Sequence, residues 1–178
     1  MPISIDDLRA ATSRPYRTQV AKSLREAVSM GKDTVFLCHS HNDRDLVQGV
    51  QALLMSSGWD VYVDWQDTSM PDRPNRETAE RIQQKIHDLI WFLFLATPNS
   101  TRSRWCPWEI GFANGVKPID SILVIATTDR QGTVYGNEYL DLYRRIDFGT
   151  LEQRRVLAAF PPAGTKGTLV ENLVAQRS

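Results

Sequence analysis

The segment 103–111 places one carboxylate, Glu109, beside two tryptophans, Trp105 and Trp108. A carboxylate can stabilise a developing positive charge or attack an electrophilic carbon, and an indole ring can bind a flat or cationic group on its face. The same segment can also be an ordinary helix start, with Glu109 in solvent and the tryptophans packed in the core. The positions of the other polar residues decide between these two interpretations.

Residues 107–115 have the features of a short helix. Pro107 suits the first turn, where a missing N–H costs nothing, and Gly115 suits the C-terminal end. Glu109 then lies in the first turn, where we expect the helix dipole to favour its charged form. Cys106 has no candidate base beside it in sequence, which favours a packing role over a nucleophilic one.

Short apolar runs alternate with helical stripes along residues 34–126. The predicted strands are 34–38, 61–63, 90–96 and 121–126, and the predicted helices are 46–54, 79–89 and 107–114. This alternation indicates right-handed βαβ units around a parallel sheet, and the continuous apolar strands indicate helices on both faces. The sequence therefore predicts an α/β fold with an open, doubly wound sheet.

Ligands bind such sheets beyond the carboxyl ends of the strands. Polar segments follow three of the predicted strands: 39–41, 64–66 and 100–109. We expect these segments to meet at one edge of the sheet, and this convergence favours a functional role for Glu109. The loop at 66–75 has no apolar run and is predicted to be exposed and functional.

Bulk properties exclude several classes of protein. The chain has 178 residues and a formal net charge of zero, so it offers no electrostatic footprint for nucleic acid or for an anionic membrane. The N-terminus lacks the basic head and apolar stretch of a signal peptide, and the chain has two cysteines, so we expect a protein of the reducing cytoplasm. No zinc-binding or P-loop motif occurs, and we predict no metal site.

The two ends of the chain are less regular. We divide the chain into a helical N-terminal extension at 1–32, with apolar residues at helical spacing over 20–28, and one domain at 33–178. The extension can cover a sheet edge or form a subunit contact. Residues 139–146 predict a short strand or a turn of helix, and 169–174 predict a closing helix.

Three motifs resemble those of the TIR (Toll/interleukin-1 receptor) domain family, in its prokaryotic form. The segment 35–40 resembles the first box of the family, F-[IL]-S-[HY]-S, with Cys38 where serine is usual. The segment 61–65 resembles the second strand, and 66–75 resembles the BB loop. The segment 103–109 matches the pattern S-[KR]-W-[CM]-x-x-E. The resemblance covers about 34–128 and implies a five-stranded parallel sheet of flavodoxin-like order.

The resemblance also implies an activity. Enzymatic TIR domains cleave NAD⁺ between nicotinamide and ribose, and the glutamate that Glu109 matches is their catalytic residue. The expected product is an ADP-ribose or a cyclic isomer, made as a signal in prokaryotic, antiphage immunity. NAD⁺ is then a substrate, and no resident cofactor is implied. Two other functions stay open: a non-catalytic TIR adaptor that acts by self-association, and an enzyme similar to nucleoside deoxyribosyltransferases.

Four residues are candidate substrate contacts, each with a structural alternative. Trp105 offers a ring face to adenine or nicotinamide, or packs in the core. Ser40 binds ribose or diphosphate at a helix start, or only caps that helix. His39 is a ligand at the sheet edge or a hydrogen-bonded strand end. Asp64 orients the substrate or caps its loop. The resemblance further implies a homo-oligomer formed by TIR–TIR contacts and a separate effector that senses the product.

Overall fold

A central sheet positions the polar segments. The computed structural model describes residues 1–12, 33–68, 70 and 75–173. Within these residues the strands are β1 (Asp33–Cys38), β2 (Trp59–Tyr62), β3 (Trp91–Ala96), β4 (Ile122–Ala126), β5 (Arg144–Leu151), β6 (Arg154–Phe160) and β7 (Thr168–Leu169). They form one sheet in the order β2-β1-β3-β4-β5-β6-β7.

The first five strands of the sheet are parallel and have the flavodoxin-like order 2-1-3-4-5. This arrangement confirms the predicted doubly wound α/β class. The predicted number of about five strands is too low, because β6 and β7 extend the sheet to seven as antiparallel strands. The hairpin between β5 and β6 turns at Glu152 and Gln153, which adopt positive φ angles of 47° and 64°.

Helices cover both faces of the sheet. In the described part of the chain these helices are α1 (Ile5–Thr12), α2 (Arg44–Ser56), α3 (Arg76–Asp88) and α4 (Cys106–Val116). Side chains alternate along β1: Val35 and Leu37 pack into the core that contains α1 and α2, and Phe36 and Cys38 pack into the core that contains α3 and α4. The carboxyl end of β1 therefore lies between the two helical layers.

The N-terminal residues belong to the first of these cores. Ile3 and Leu8 are fully buried there. The helix α1 crosses α2 so closely that a Cβ on Gly49 would lie 2.1 Å from the carbonyl oxygen of Leu8, which explains a glycine inside a helix. The helix predicted over 20–28 lies outside the described residues, so the division at 32/33 stays a prediction.

The C-terminal region differs from the prediction. Residues Glu138–Leu142 form a 3₁₀ turn, one of the two predicted alternatives. The closing helix predicted at 169–174 is wrong for its described part, because Thr168–Leu169 pairs with β6 and Val170–Asn172 is a 3₁₀ turn. A 3₁₀ turn also brings residues three apart to one side, and Val170 and Leu173 both become buried in this way. None of the helices in the described ranges is long and apolar enough to cross a lipid bilayer.

Candidate active site

A cavity of about 510 Å³ opens at the carboxyl ends of β1, β2 and β3. This volume lies in the range of small-molecule sites. The cavity is lined by His39, Ser40, His41, Asn42, Arg44, Asp64, Trp65, Met70, Thr78, Ile82, Asn99, Arg102, Ser103, Trp105 and Glu109. All five predicted site residues are in this set, so the three polar segments do meet at one edge of the sheet. Their catalytic and binding roles stay predictions.

Glu109 is buried in the first turn of α4, with 6% of the residue exposed. Burial raises the pKa of its carboxyl group to about 7, and the negative charge of Asp64 contributes in the same direction. Loss of hydration therefore outweighs any stabilisation of the charged form by the helix dipole at this depth. A carboxyl group that titrates near neutral pH can both stabilise a cation and accept a proton.

Both cysteines lie next to Glu109, and both are free and buried. The Cys38 thiol lowers the pKa of Glu109, although less than burial raises it, and its Sγ atom donates to the backbone oxygen of Cys106 at 3.8 Å. The Sγ atom of Cys106 donates to the backbone oxygen of His39 at 3.3 Å. Cys106 is thus a packing residue that joins the start of α4 to the end of β1, as its sequence context predicts.

His39 is held in one orientation at the end of β1. Its Nδ1 atom lies 2.8 Å from the carbonyl oxygen of Leu37, and its Nε2 atom lies 3.4 Å from Oδ1 of Asp64. The ring meets Trp65 edge-to-face, with 4.5 Å between ring centroids. Burial lowers the pKa of His39, so the neutral imidazole is favoured.

Asp64 and Trp65 form the wall opposite α4. Oδ1 of Asp64 accepts a hydrogen bond from the Trp65 backbone N–H at 2.7 Å, which fixes the carboxylate as part of the turn after β2. The Arg44 guanidinium lies over the Trp65 ring, 5.4 Å from its centroid. Gln66, the last residue of the predicted segment, points to Gln51 and does not line the cavity.

Trp105 and Ser40 each combine their two predicted environments. Trp105 packs partly against the core between the sheet and the helices α3 and α4, and it also lines the cavity. Its ring meets Trp108 edge-to-face at 5.4 Å between centroids. Ser40 lines the cavity and caps the 3₁₀ turn His41–Asp43, where its hydroxyl accepts a long bond of 3.4 Å from the Asn42 N–H.

A buried hydrogen-bond network that was not predicted from the sequence lies behind the cavity. Asp43 accepts hydrogen bonds from the Thr97 hydroxyl at 2.5 Å and from the Asn99 side-chain amide at 2.6 Å. The Ser100 hydroxyl accepts from the backbone N–H of Thr97 at 2.8 Å. These bonds join the loop after β3 to the start of α2. The sequence signal for this network was Asp43, an acidic residue that lies two positions beyond the polar segment 39–41.

Two long side chains, Arg102 and Met70, line the entrance of the cavity. Arg102 is exposed and lines the cavity, whereas Arg104 does not line it. Met70, from the loop predicted to be functional, also reaches the cavity. The rest of that loop at 69 and 71–74 lies outside the described residues.

Comparison with known proteins decides the family. A family model described as TIR domain matches residues 35–157. The chain belongs to the TIR domain family. The match begins within β1 and ends within β6, and it includes every predicted site residue of this TIR domain.

A curated relative supports the same assignment. This TIR domain protein is 31% identical over 140 residues to a protein of Bacillus cereus (strain MSX-D12) named "Probable 3' cyclic ADP-D-ribose synthase ThsB'". The matched region covers 75% of this chain and 72% of the relative. The similarity therefore extends over most of both chains.

Proposed function

We propose that this TIR domain protein cleaves the bond between nicotinamide and ribose in NAD⁺ and forms a cyclic ADP-ribose as its product. The observation that carries this proposal is the buried Glu109 carboxyl group in a cavity of dinucleotide-binding size. The name of the B. cereus relative supports cyclisation over hydrolysis. Glu109 is the proposed catalytic residue.

Cleavage needs little acid chemistry. The nicotinamide of NAD⁺ is already cationic, so its ring nitrogen leaves with the electron pair of the broken bond as neutral nicotinamide. A glycosidase needs a second carboxyl group to protonate its leaving oxygen, and this step does not. One carboxylate, Glu109, then stabilises the oxocarbenium-like ribose that remains.

Cyclisation follows when a hydroxyl group of the second ribose attacks the cationic carbon. A new carbon–oxygen bond forms and the hydroxyl proton must leave. Glu109 is suited to accept that proton because its pKa is about 7, near the working pH of a cell. Ile82, Met70 and Trp105 provide apolar wall, which disfavours attack by water.

The charges around the cavity complement the two ends of NAD⁺. Arg44 and Arg102 are exposed at its edge, where guanidinium groups suit a diphosphate. Asp64 and Glu109 lie further in and suit the cationic nicotinamide. We assign Trp105 to stacking on one of the two bases, and Ser40, His39 and Asp64 to the ribose and diphosphate.

We further propose that the protein acts as a homo-oligomer in the cytoplasm and that a separate effector senses the product in antiphage defence. The exposed residues Gln66, Thr68 and Asn75, in the described part of the predicted loop, support an oligomer in which a neighbour completes the site. The two free, buried thiols support a reducing compartment. Specific activity that rises with protein concentration over a hundredfold range supports the oligomer, and constant activity from a monomer contradicts it.

The test of the activity is incubation of the purified chain with NAD⁺, followed by mass spectrometry of the products. We expect nicotinamide and a nucleotide with the mass of cyclic ADP-ribose, which lacks one water relative to ADP-ribose. A second incubation with a deoxyribonucleoside and a free base should give no exchange. Base exchange without NAD⁺ turnover would indicate a deoxyribosyltransferase-like enzyme, and no turnover by the assembled protein would indicate an adaptor.

A further inference from the structure

Three metal-binding side chains meet at the mouth of the cavity. One ligand atom from each of His39, His41 and Asp64 lies within 4.8 Å of the other two. His39 and His41 follow β1, and Asp64 follows β2, the parallel neighbour of β1. The parallel pairing of the two strands therefore brings the three side chains together.

The imidazole of His39 presents a lone pair to this cluster. The Leu37 carbonyl can only accept a hydrogen bond, so the 2.8 Å contact requires the proton of the neutral ring on Nδ1. Nε2 then carries a lone pair. It has no hydrogen-bond partner among the described residues, and only 3% of the side chain is exposed, so solvent has little access to it. It lies 3.4 Å from a carboxylate oxygen of Asp64, which also carries lone pairs.

Two facing lone pairs at this distance repel each other, and a cation bound between them removes that repulsion. The geometry suits a metal ion, because ligands of tetrahedral zinc at about 2.0–2.1 Å are about 3.3 Å apart, close to the observed 3.4 Å. A hydrogen bond also fixes the orientation of each group, as is usual for metal ligands. His39 donates to the Leu37 carbonyl, and Asp64 accepts from the Trp65 N–H.

The third ligand can complete the set. His41 is exposed, so its side chain can rotate toward the other two groups. Two imidazoles and one carboxylate with one position open form a donor set that zinc and its first-row neighbours accept. Mg²⁺ and Ca²⁺ prefer oxygen ligands and suit this cluster poorly.

We propose that His39, His41 and Asp64 bind one divalent transition-metal ion, of which zinc is the representative, at the mouth of the Glu109 cavity. The prediction of no metal site made from sequence motifs is replaced by this proposal. A bound ion occupies His39 and Asp64, which we assign to the substrate, so zinc competes with NAD⁺. That consequence, unlike the binding itself, rests on the proposed function.

The binding test uses the full chain after treatment with a chelator. Calorimetric titration with Zn²⁺ should give one site per chain, and titration with Mg²⁺ should give none. His41→Ala and Asp64→Asn should each weaken Zn²⁺ binding at least about 10-fold. His87→Ala is the matched control, because His87 is exposed on α3 and far from the cluster in sequence.

A spectroscopic readout distinguishes this site from the nearby thiols. Co²⁺ bound by nitrogen and oxygen should give visible ligand-field bands without the intense ultraviolet band of a thiolate complex. Zinc binding that survives both His41→Ala and Asp64→Asn, falls equally in His87→Ala, or gives a Co²⁺–thiolate band would overturn the proposal.

The functional consequence is measured separately. Zn²⁺ should raise the apparent KM for NAD⁺ in the wild-type protein and should do so at least about 10-fold less effectively in His41→Ala. Zinc binding without NAD⁺ turnover supports the metal site and contradicts only the proposed enzyme. NAD⁺ turnover without zinc binding contradicts only the metal site.

Discussion

The thiol of Cys38 lowers the pKa of the buried Glu109 carboxyl group, and the Cys38 side chain is itself buried. The thiol sits at the end of β1, one residue before His39, and the carboxylate sits in the first turn of α4. The Sγ atom of Cys38 donates to the backbone oxygen of Cys106 at 3.8 Å. The Cys38 thiol stabilises the charged form of Glu109, whereas burial has the larger effect and favours the neutral form.

The first prediction is the pH dependence of the wild-type reaction. Glu109 must be charged to stabilise the ribose cation, and its pKa in the free protein is about 7. Therefore kcat/KM for NAD⁺ should be low at pH 5.5, rise through about 7 and level off above pH 8. The midpoint of kcat should be lower, because bound cationic nicotinamide favours the carboxylate. A kcat/KM profile that is flat from pH 5.5 to 8.5 would be incompatible with this account.

The second prediction concerns the donor at position 38. Cys38→Ser supplies a stronger donor and should move the kcat/KM midpoint to lower pH, whereas Cys38→Ala removes the donor and should move it to higher pH, each by up to about 1 unit. Cys106→Ser is the control, because Cys106 donates to the His39 backbone and not to Glu109. Equal midpoints in the Ser and Ala variants at position 38 would show that the contact does not tune Glu109.

The third prediction concerns stability. The pKa of Glu109 is about 7 in the folded protein against an ordinary value of 4.5, so between these pH values the folded chain binds more protons than the unfolded chain. The free energy of unfolding therefore falls as pH rises. From pH 5.5 to 8 the free energy of unfolding should fall by about 2 kcal/mol in the wild-type protein, and this decrease should be absent in Glu109→Gln.

Urea unfolding of both proteins at pH 5.5 and pH 8 checks this prediction. Groups that titrate elsewhere affect both proteins and cancel in the difference between them. We expect the stability of Glu109→Gln relative to wild type to increase by about 2 kcal/mol over this range. A difference that does not change with pH would mean that Glu109 is hydrated in the folded protein.

The fourth prediction separates two neighbouring tryptophans. Trp105 lines the cavity, whereas Trp108 is more exposed and does not line it. Trp105→Ala should raise KM for NAD⁺ by about 5- to 100-fold, the scale of one base-stacking contact, and Trp105→Phe should retain part of the affinity. Trp108→Ala should change KM much less. A larger effect at Trp108 than at Trp105 would remove Trp105 from the substrate contacts.

The sequence predicted the parallel core well because its strands are apolar on both faces. The run from Trp91 to Ala96 is buried throughout, and such a run between two helical stripes has few alternatives. The convergence of 39–41, 64–66 and 100–109 followed from topology alone, since parallel strands end at the same edge. The location of the site was therefore predictable, because it depends only on where the parallel strands end.

The antiparallel extension was not predictable in the same way. Its hairpin turns through Glu152 and Gln153 in the left-handed region, where asparagine or glycine is the usual signal. β5 and β6 are also partly exposed, so they lack a continuous apolar run. The burial of Glu109 was equally hidden, because a first-turn acid has the same sequence pattern whether its helix start faces solvent or a cavity.

The central claim is that Glu109 carries out cleavage of NAD⁺, and the most direct measurement is the rate of nicotinamide release by Glu109→Gln. This substitution keeps the shape of the side chain and removes its charge. We predict a rate at least about 10²-fold below wild type, the scale of one lost electrostatic stabiliser. The exposed Glu171, remote from the cavity lining, provides the control Glu171→Gln, which should retain full activity. Nicotinamide release by folded Glu109→Gln at most of the wild-type rate would contradict the mechanism.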